Sequence, residues 1–183
     1  MLARSQACRR AVCTRQHILK PYLRRLKKRI MEEAKELKQQ LLAYCQEQTA
    51  QRIAGITDSL KKIEDARNGE TKSSAGDKFE TGRAMMQMEE AKLNRQLEEV
   101  LKVRQVLDRI NPLHTSERVA AGTLVATNRG NYFLAVGLGK VRLEGRAFFC
   151  TSLDSPIGKQ LHGKNVGDVL TFNDLEFKIN GMV

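Results

Sequence analysis

The residue types that most often carry chemistry are thinly spread along this chain. Cys8, Cys13, Cys45 and Cys150 contain no C-x-x-C pair, so neither a zinc site nor a dithiol redox motif is indicated. Cys45 and Cys150 stand in apolar surroundings and read as reduced core residues, while His17, His114 and His162 are scattered. Gly137-Leu138-Gly139-Lys140 lacks the glycine spacing and the following Ser or Thr of a phosphate loop. No serine sits in a nucleophile elbow. The acids between residues 70 and 80 are a different case. Asp77 and Glu80 are three apart, which puts both carboxylates on one face if a helix has begun there. Acids in a first helical turn also interact favourably with its positive end and can cap it. Glu70 lies a few residues upstream.

Two long helical stretches flank these acids. Residues 32–66 hold no proline and a single glycine, Gly55. Leu42, Cys45, Thr49, Ile53, Ile56, Leu60 and Ile63 recur in steps of three and four, which marks one narrow helical face. In 78–110, Phe79, Met86, Leu93, Val100 and Leu107 fall seven apart, with Leu97 and Ile110 at further seam positions. Such a heptad marks a coiled coil. The same reading puts Met85 with Met86 in the seam and Arg83 on the solvated surface. Helices of about 35 and 33 residues would each be about 50 Å long. The connector around Asn68-Gly69 and Ser73-Ser74-Ala75-Gly76 is turn-rich. Near-equal helices with a short connector predict an antiparallel hairpin rather than a parallel dimer, whose seams the connector would interrupt.

Asn111-Pro112 ends the second helix, because proline cannot continue its ladder. Strands are then predicted at 123–127, 132–136, 140–143, 146–151, 169–172 and 176–179, with turns at Glu144-Gly145 and Asn173-Asp174 and a short helix at 157–161. The expected class is therefore α+β: an N-terminal antiparallel coiled-coil hairpin over 31–111, its tip near 67–80, followed by a small antiparallel β domain over 112–183. A β domain of this size is marginal alone, so the hairpin base is expected to dock on it.

Charge sets the first 30 residues apart. They contain ten Lys or Arg and no acid, whereas the other 153 residues carry 22 basic and 21 acidic side chains. The net charge of +11 therefore belongs to the leading segment, which reads as a solvated, partly disordered tail or the start of the first helix. It superficially looks like a transit peptide but lacks serine enrichment. With no apolar run of membrane-spanning length, a soluble cytoplasmic monomer is expected.

The stretch Ser155-Pro156-Ile157-Gly158-Lys159-Gln160-Leu161-His162-Gly163-Lys164-Asn165-Val166-Gly167-Asp168-Val169 resembles the C-terminal signature of the Gre-type transcript-cleavage factor family, and the tip stretch from Lys72 to Met85 looks like a divergent GreA/GreB-like branch of it. Ser155 can cap a helix opened by Pro156, Gly163 can end it, and Gly167-Asp168 can turn into the last hairpin. The family's order, hairpin before β domain, is the order read above. The resemblance implies an FKBP-like fold for the β domain, and implies bacterial RNA polymerase as the partner, with nascent RNA touched only indirectly. It assigns Ser155, Pro156, Gly163, Lys164, Gly167 and Asp168 to that domain's motif, mainly as structural residues. It further implies that the hairpin enters the polymerase's secondary channel, where tip carboxylates help hold a Mg²⁺ for hydrolysis of backtracked RNA. Mg²⁺ is a hard cation that takes oxygen ligands, and a paired-metal site stabilises the attacking and leaving oxygens. The ion would be held jointly with the polymerase, not by the free protein.

By this resemblance Asp77 and Glu80 are the active pair, with Glu70 in reserve. A second alignment puts Glu70 at the family's Asp position, but Ser73 then replaces its Glu. That departure supports an alternative: a secondary-channel regulator without cleavage activity. A third reading, of another class, is an FKBP-like scaffold or chaperone with a coiled-coil arm. In none of them is the chain an enzyme by itself.

Overall fold

The computed structural model describes the backbone of residues 4–70 and 78–183, with side chains described outside 4–23, 27, 69–70 and 78–80. Helix α1 spans Arg4–Glu70 and helix α2 spans Lys78–Asp108. They form an antiparallel pair. Leu41 and Leu42 of α1 share a core with Leu107 of α2, while Arg67 near the end of α1 meets Glu90, nearer the start of α2. The seam read from the sequence is the packed face: Leu42, Cys45, Thr49, Ile56, Val100 and Leu107 are buried, and Ile53, Leu60, Ile63, Met86, Leu93 and Leu97 are half-buried. The two arms are unequal, because α1 has 67 residues against 31 in α2. Residues 4–30 are helical and continuous with the first arm. They contain no glycine, one proline (Pro21) and many Ala, Leu, Arg and Lys, which favour a helix.

Beyond the hairpin lie strands β1 (Leu124–Thr127), β2 (Gly130–Ala135), β3 (Gly139–Leu143), β4 (Arg146–Ser152), β5 (Val169–Phe172) and β6 (Leu175–Met182), with helix α3 (Pro156–Leu161) between β4 and β5. The sheet order is β3-β4-β2-β1-β6-β5. It is mixed, which corrects the antiparallel expectation: β2 and β4 run parallel, Phe133 opposite Cys150. Strand β4 turns back from β3 across Glu144-Gly145 and inserts beside β2. Alternating hydrophobicity marks strands but does not say which neighbour each will take. Turn chemistry is more informative. Glu144 and Gly145, like Asn173 and Asp174, all have positive φ, and two-residue turns of that kind match the twist of a hairpin.

Alternation along the strands divides the sheet between two cores. Leu124, Phe133, Ala135, Val141, Phe148 and Cys150 face Leu41, Leu42, Cys45 and Leu107 of the hairpin. On the other face Val125, Leu134, Leu170, Phe177 and Ile179 pack with Val119 and with Leu161 of α3.

At the edge of the first core, Lys38 of α1 is only 2% exposed. Its Nζ donates to the His114 carbonyl at 2.6 Å, tying the first arm to the segment that leaves the second. Burial, reinforced by nearby Lys35, holds its ammonium below the ordinary lysine range.

Two outcomes are expected. Leu107→Ala removes a fully buried seam side chain and should cost about 2–5 kcal/mol in urea denaturation, with hairpin and sheet signals lost together. For Lys38, the folded pKa lies below the unfolded one, so between the two the unfolded chain binds more protons. Its contribution to stability is therefore unfavourable at neutral pH and becomes less so as pH rises through that window. Urea midpoints taken from pH 7 upward should show this rise in the parent and not in Lys38→Met. The difference between the two proteins separates Lys38 from Tyr132, whose phenol is raised by burial and works in the opposite sense.

Candidate functional site

The free end of the hairpin is the candidate site. Helix α1 ends at Glu70 and α2 begins at Lys78, so the antiparallel pairing brings the backbones of Glu70 and Glu80 to the same end of the molecule. Asp77 lies outside the described residues, as do the side chains of Glu70, Phe79 and Glu80. The Mg²⁺ expectation rests on those carboxylates and falls outside them too. Elsewhere, among the described residues, no group of three or more His, Cys, Asp or Glu side chains is placed to hold a metal.

About one turn before α1 ends and about three turns after α2 begins, the two arms are bridged. Arg67 Nη1 lies 3.4 Å from Glu90 Oε2. Arg67, Asn68, Arg83, Met86, Gln87 and Glu90 line a cavity of about 270 Å³. The half-exposed Arg67–Glu90 pair contributes little to stability, but it fixes where a guanidinium sits next to the tip. Arg83 is exposed, as its sequence context indicates. Met85 is not a seam residue as expected: it is 68% exposed, and only Met86 turns inward. Adjacent residues on a helix point about 100° apart, so one narrow seam cannot take both. Met88, which the heptad also leaves out, is 74% exposed. Met85 and Met88 stand three apart on one outward face, and flexible, polarisable thioethers there suit a contact surface. The sequence signal for them was their mismatch with the seam.

Further down, the outer surfaces carry short-range ion pairs. Lys62 and Asp58 meet at 2.7 Å and Lys102 and Glu98 at 2.8 Å. Their hydrogen bonds hold both carboxyls below and both ammonium groups above their ordinary ranges. These are fully solvated pairs on single helices, and they leave the arms with mixed rather than one-signed charge.

The C-terminal motif lies at the opposite end and is occupied with its own geometry. Ser155 caps α3, its Oγ accepting from Gly158 N at 3.0 Å, and Pro156 opens the helix. Gly163, with φ of 76°, ends it, and its N–H donates to Val119 O at 2.8 Å, while the Lys164 carbonyl accepts from Val119 N at 2.9 Å. Gly167 N donates to Ile179 O, and Asp168 Oδ2 accepts from Asn165 N at 2.8 Å. Gly158 was quoted only as part of the motif, yet it is the tightest position: a Cβ there would collide with the Ser152 carbonyl. An apolar cavity of about 410 Å³, lined by Ile30, Met31, Leu37, Leu124 and Phe148 among others, also lies at this end.

No described helix is long and apolar enough to cross a membrane. No family model matches the chain, and no curated protein matches it by sequence. Among solved structures, weakly similar ones include two transcription-factor structures. The crystal structure of GreA factor homolog 1 (Gfh1) of Thermus thermophilus is 19% identical over 75% of this chain and 94% of that one, with a TM-score of 0.31. A structure described as the transcription factor Gfh1 is 21% identical over 81% of this chain and 94% of that one, with a TM-score of 0.27. The similarity singles out no branch of a family, and nothing about this chain's partners or chemistry follows from scores this low. The first functional expectation, stimulated RNA cleavage, is withdrawn: the similar structures are described as a GreA factor homologue and a transcription factor, and neither description names cleavage. The structure itself is a helical hairpin followed by a mixed β-sheet domain.

Proposed function

We propose that this chain is a transcription regulator that binds bacterial RNA polymerase and places its hairpin in the secondary channel without stimulating RNA cleavage. One observation carries the reading: an antiparallel hairpin whose base is packed into a small sheet domain and whose Arg67–Glu90 bridge lies about 40 Å along the helix from Leu41. A rod anchored in this way carries a few residues into a narrow passage while its base stays outside. The sheet domain, with its Ser155–Asp168 motif folded as a capped helix and turn, is assigned by the resemblance to the FKBP-like class and to docking at the channel rim. In the alignment that puts Glu70 at the family's tip Asp, Ser73 stands where its Glu would, which supports the absence of cleavage. Asp77 and Glu80, with Glu70, are then the carboxylates presented near the polymerase's Mg²⁺, and Arg83, Met85 and Met88 line the wall of the rod just below.

The test uses purified bacterial RNA polymerase in a stalled, backtracked elongation complex with Mg²⁺. Expected are saturable binding of the full chain and unchanged RNA length. Met85→Asp combined with Met88→Asp should weaken binding about tenfold, which corresponds to about 1.4 kcal/mol, and leave the melting temperature within about a degree because both side chains are exposed. Shortened RNA sinks the non-cleaving reading. No binding at all leaves the scaffold with a coiled-coil arm.

A further inference from the structure

Cys45 and Cys150 meet although 105 residues separate them, with Sγ–Sγ at 3.8 Å. Both are free thiols in the core between hairpin and sheet, 0% and 2% exposed. Their surroundings hold the two backbones in place. Cys45 lies one turn beyond Leu41 and Leu42, and its carbonyl accepts from the buried Thr49 hydroxyl at 2.8 Å. Cys150 lies in the middle of β4, paired with Phe133 on one side and Gly139 on the other. A disulfide needs sulfurs about 2.05 Å apart, so about 1.8 Å of closure is required.

We propose that Cys45 and Cys150 are an oxidative modification site: a small-molecule disulfide converts them to an intramolecular disulfide that fastens the first arm of the hairpin to β4. Cys150 loses its proton and its sulfur attacks one sulfur of the reagent. The reagent's S–S bond breaks and one small thiol leaves with that proton. Cys45 then gives up its proton and attacks the Cys150 sulfur of the mixed disulfide, and the second small thiol departs with it. Two protein thiols are oxidised and one small disulfide is reduced to two thiols. The Cys45 thiol donates to Cys150 and so holds Cys150 below the ordinary thiol range, while that same bond and burial raise Cys45. Because both sulfurs are buried, the reagent enters only when the hairpin base lifts from the sheet. Reaction is slow in the closed protein and faster when that interface is loosened.

The experiment uses the full chain carrying Cys8→Ser and Cys13→Ser, incubated with oxidised glutathione, then unfolded, alkylated and weighed intact. Expected is loss of two hydrogens with no alkyl group added, reversed by dithiothreitol. The oxidised form should melt roughly 5–15 °C above the reduced one, because a crosslink over so long a loop restricts the unfolded chain. Urea below the unfolding midpoint should speed the reaction. Cys45→Ala in this background should stop at a glutathione adduct on Cys150, which shows the same attack without the second step. Two alkylated thiols after prolonged incubation in sub-denaturing urea would overturn the proposal. So would a disulfide that forms only in fully unfolded protein, or one that lowers the melting temperature.

Discussion

The burial of the hairpin base against one face of the sheet is the contact on which the rest of this molecule depends. Leu41, Leu42, Cys45 and Leu107 supply one side and Phe133, Val141, Phe148 and Cys150 the other. Neither partner is self-sufficient. A two-helix hairpin has a narrow apolar seam, and a six-stranded sheet of about 60 residues buries too small a fraction of its surface to be robust alone. Joining them gives the sheet a lid on its open face and gives the hairpin a foundation. The second core, under α3, completes the other face. A buried lysine at the margin of the first core works against stability at neutral pH, yet its bond to the His114 carbonyl fixes the place where the chain leaves α2.

That division of labour separates rigidity from recognition. Apolar contacts concentrate at the base, and towards the tip the seam becomes half-buried and the outer surface becomes solvated ion pairs, guanidinium groups and exposed thioethers. Such a gradient suits a probe more than a catalyst, since a catalyst needs its groups fixed by a surrounding shell. The first functional expectation gave more weight to two tip acids than to the architecture that carries them. A hairpin anchored at its base serves a cleaving and a non-cleaving factor equally well.

How much was legible in the sequence follows from how local each signal is. The seam could be read because a helix repeats its neighbours every three or four residues, and Leu42, Cys45, Val100 and Leu107 lie where that rule puts them. The turns at Glu144-Gly145 and Asn173-Asp174 could be read because a two-residue hairpin demands positive φ. The parallel pairing of β2 with β4 could not, since nothing in Phe133 or Cys150 names the strand opposite. Lys38 was invisible for a similar reason: it has the composition of a surface residue, and only the fold brings the His114 carbonyl over it. Met85 was misplaced through treating two adjacent methionines as one signal. The C-terminal motif's cap, stop and turn were legible because that work is local, within 14 residues, whereas the close approach at Gly158 and the bonds to Val119 and Ile179 were not. The tip acids have no such local geometry to declare a role, and their side chains lie outside the described residues.

The continuity of α1 has a mechanical side. A single helix contributes the leading basic segment, part of the wall of the apolar cavity, part of the central core and one arm of the hairpin. From Pro21 to Glu70 it contains no further proline to interrupt its hydrogen-bonded ladder. Such a beam has its fulcrum where Leu41, Leu42 and Cys45 seat on the sheet. A load on the cationic end is therefore met at that seat, where the apolar core braces the beam before it reaches the far arm.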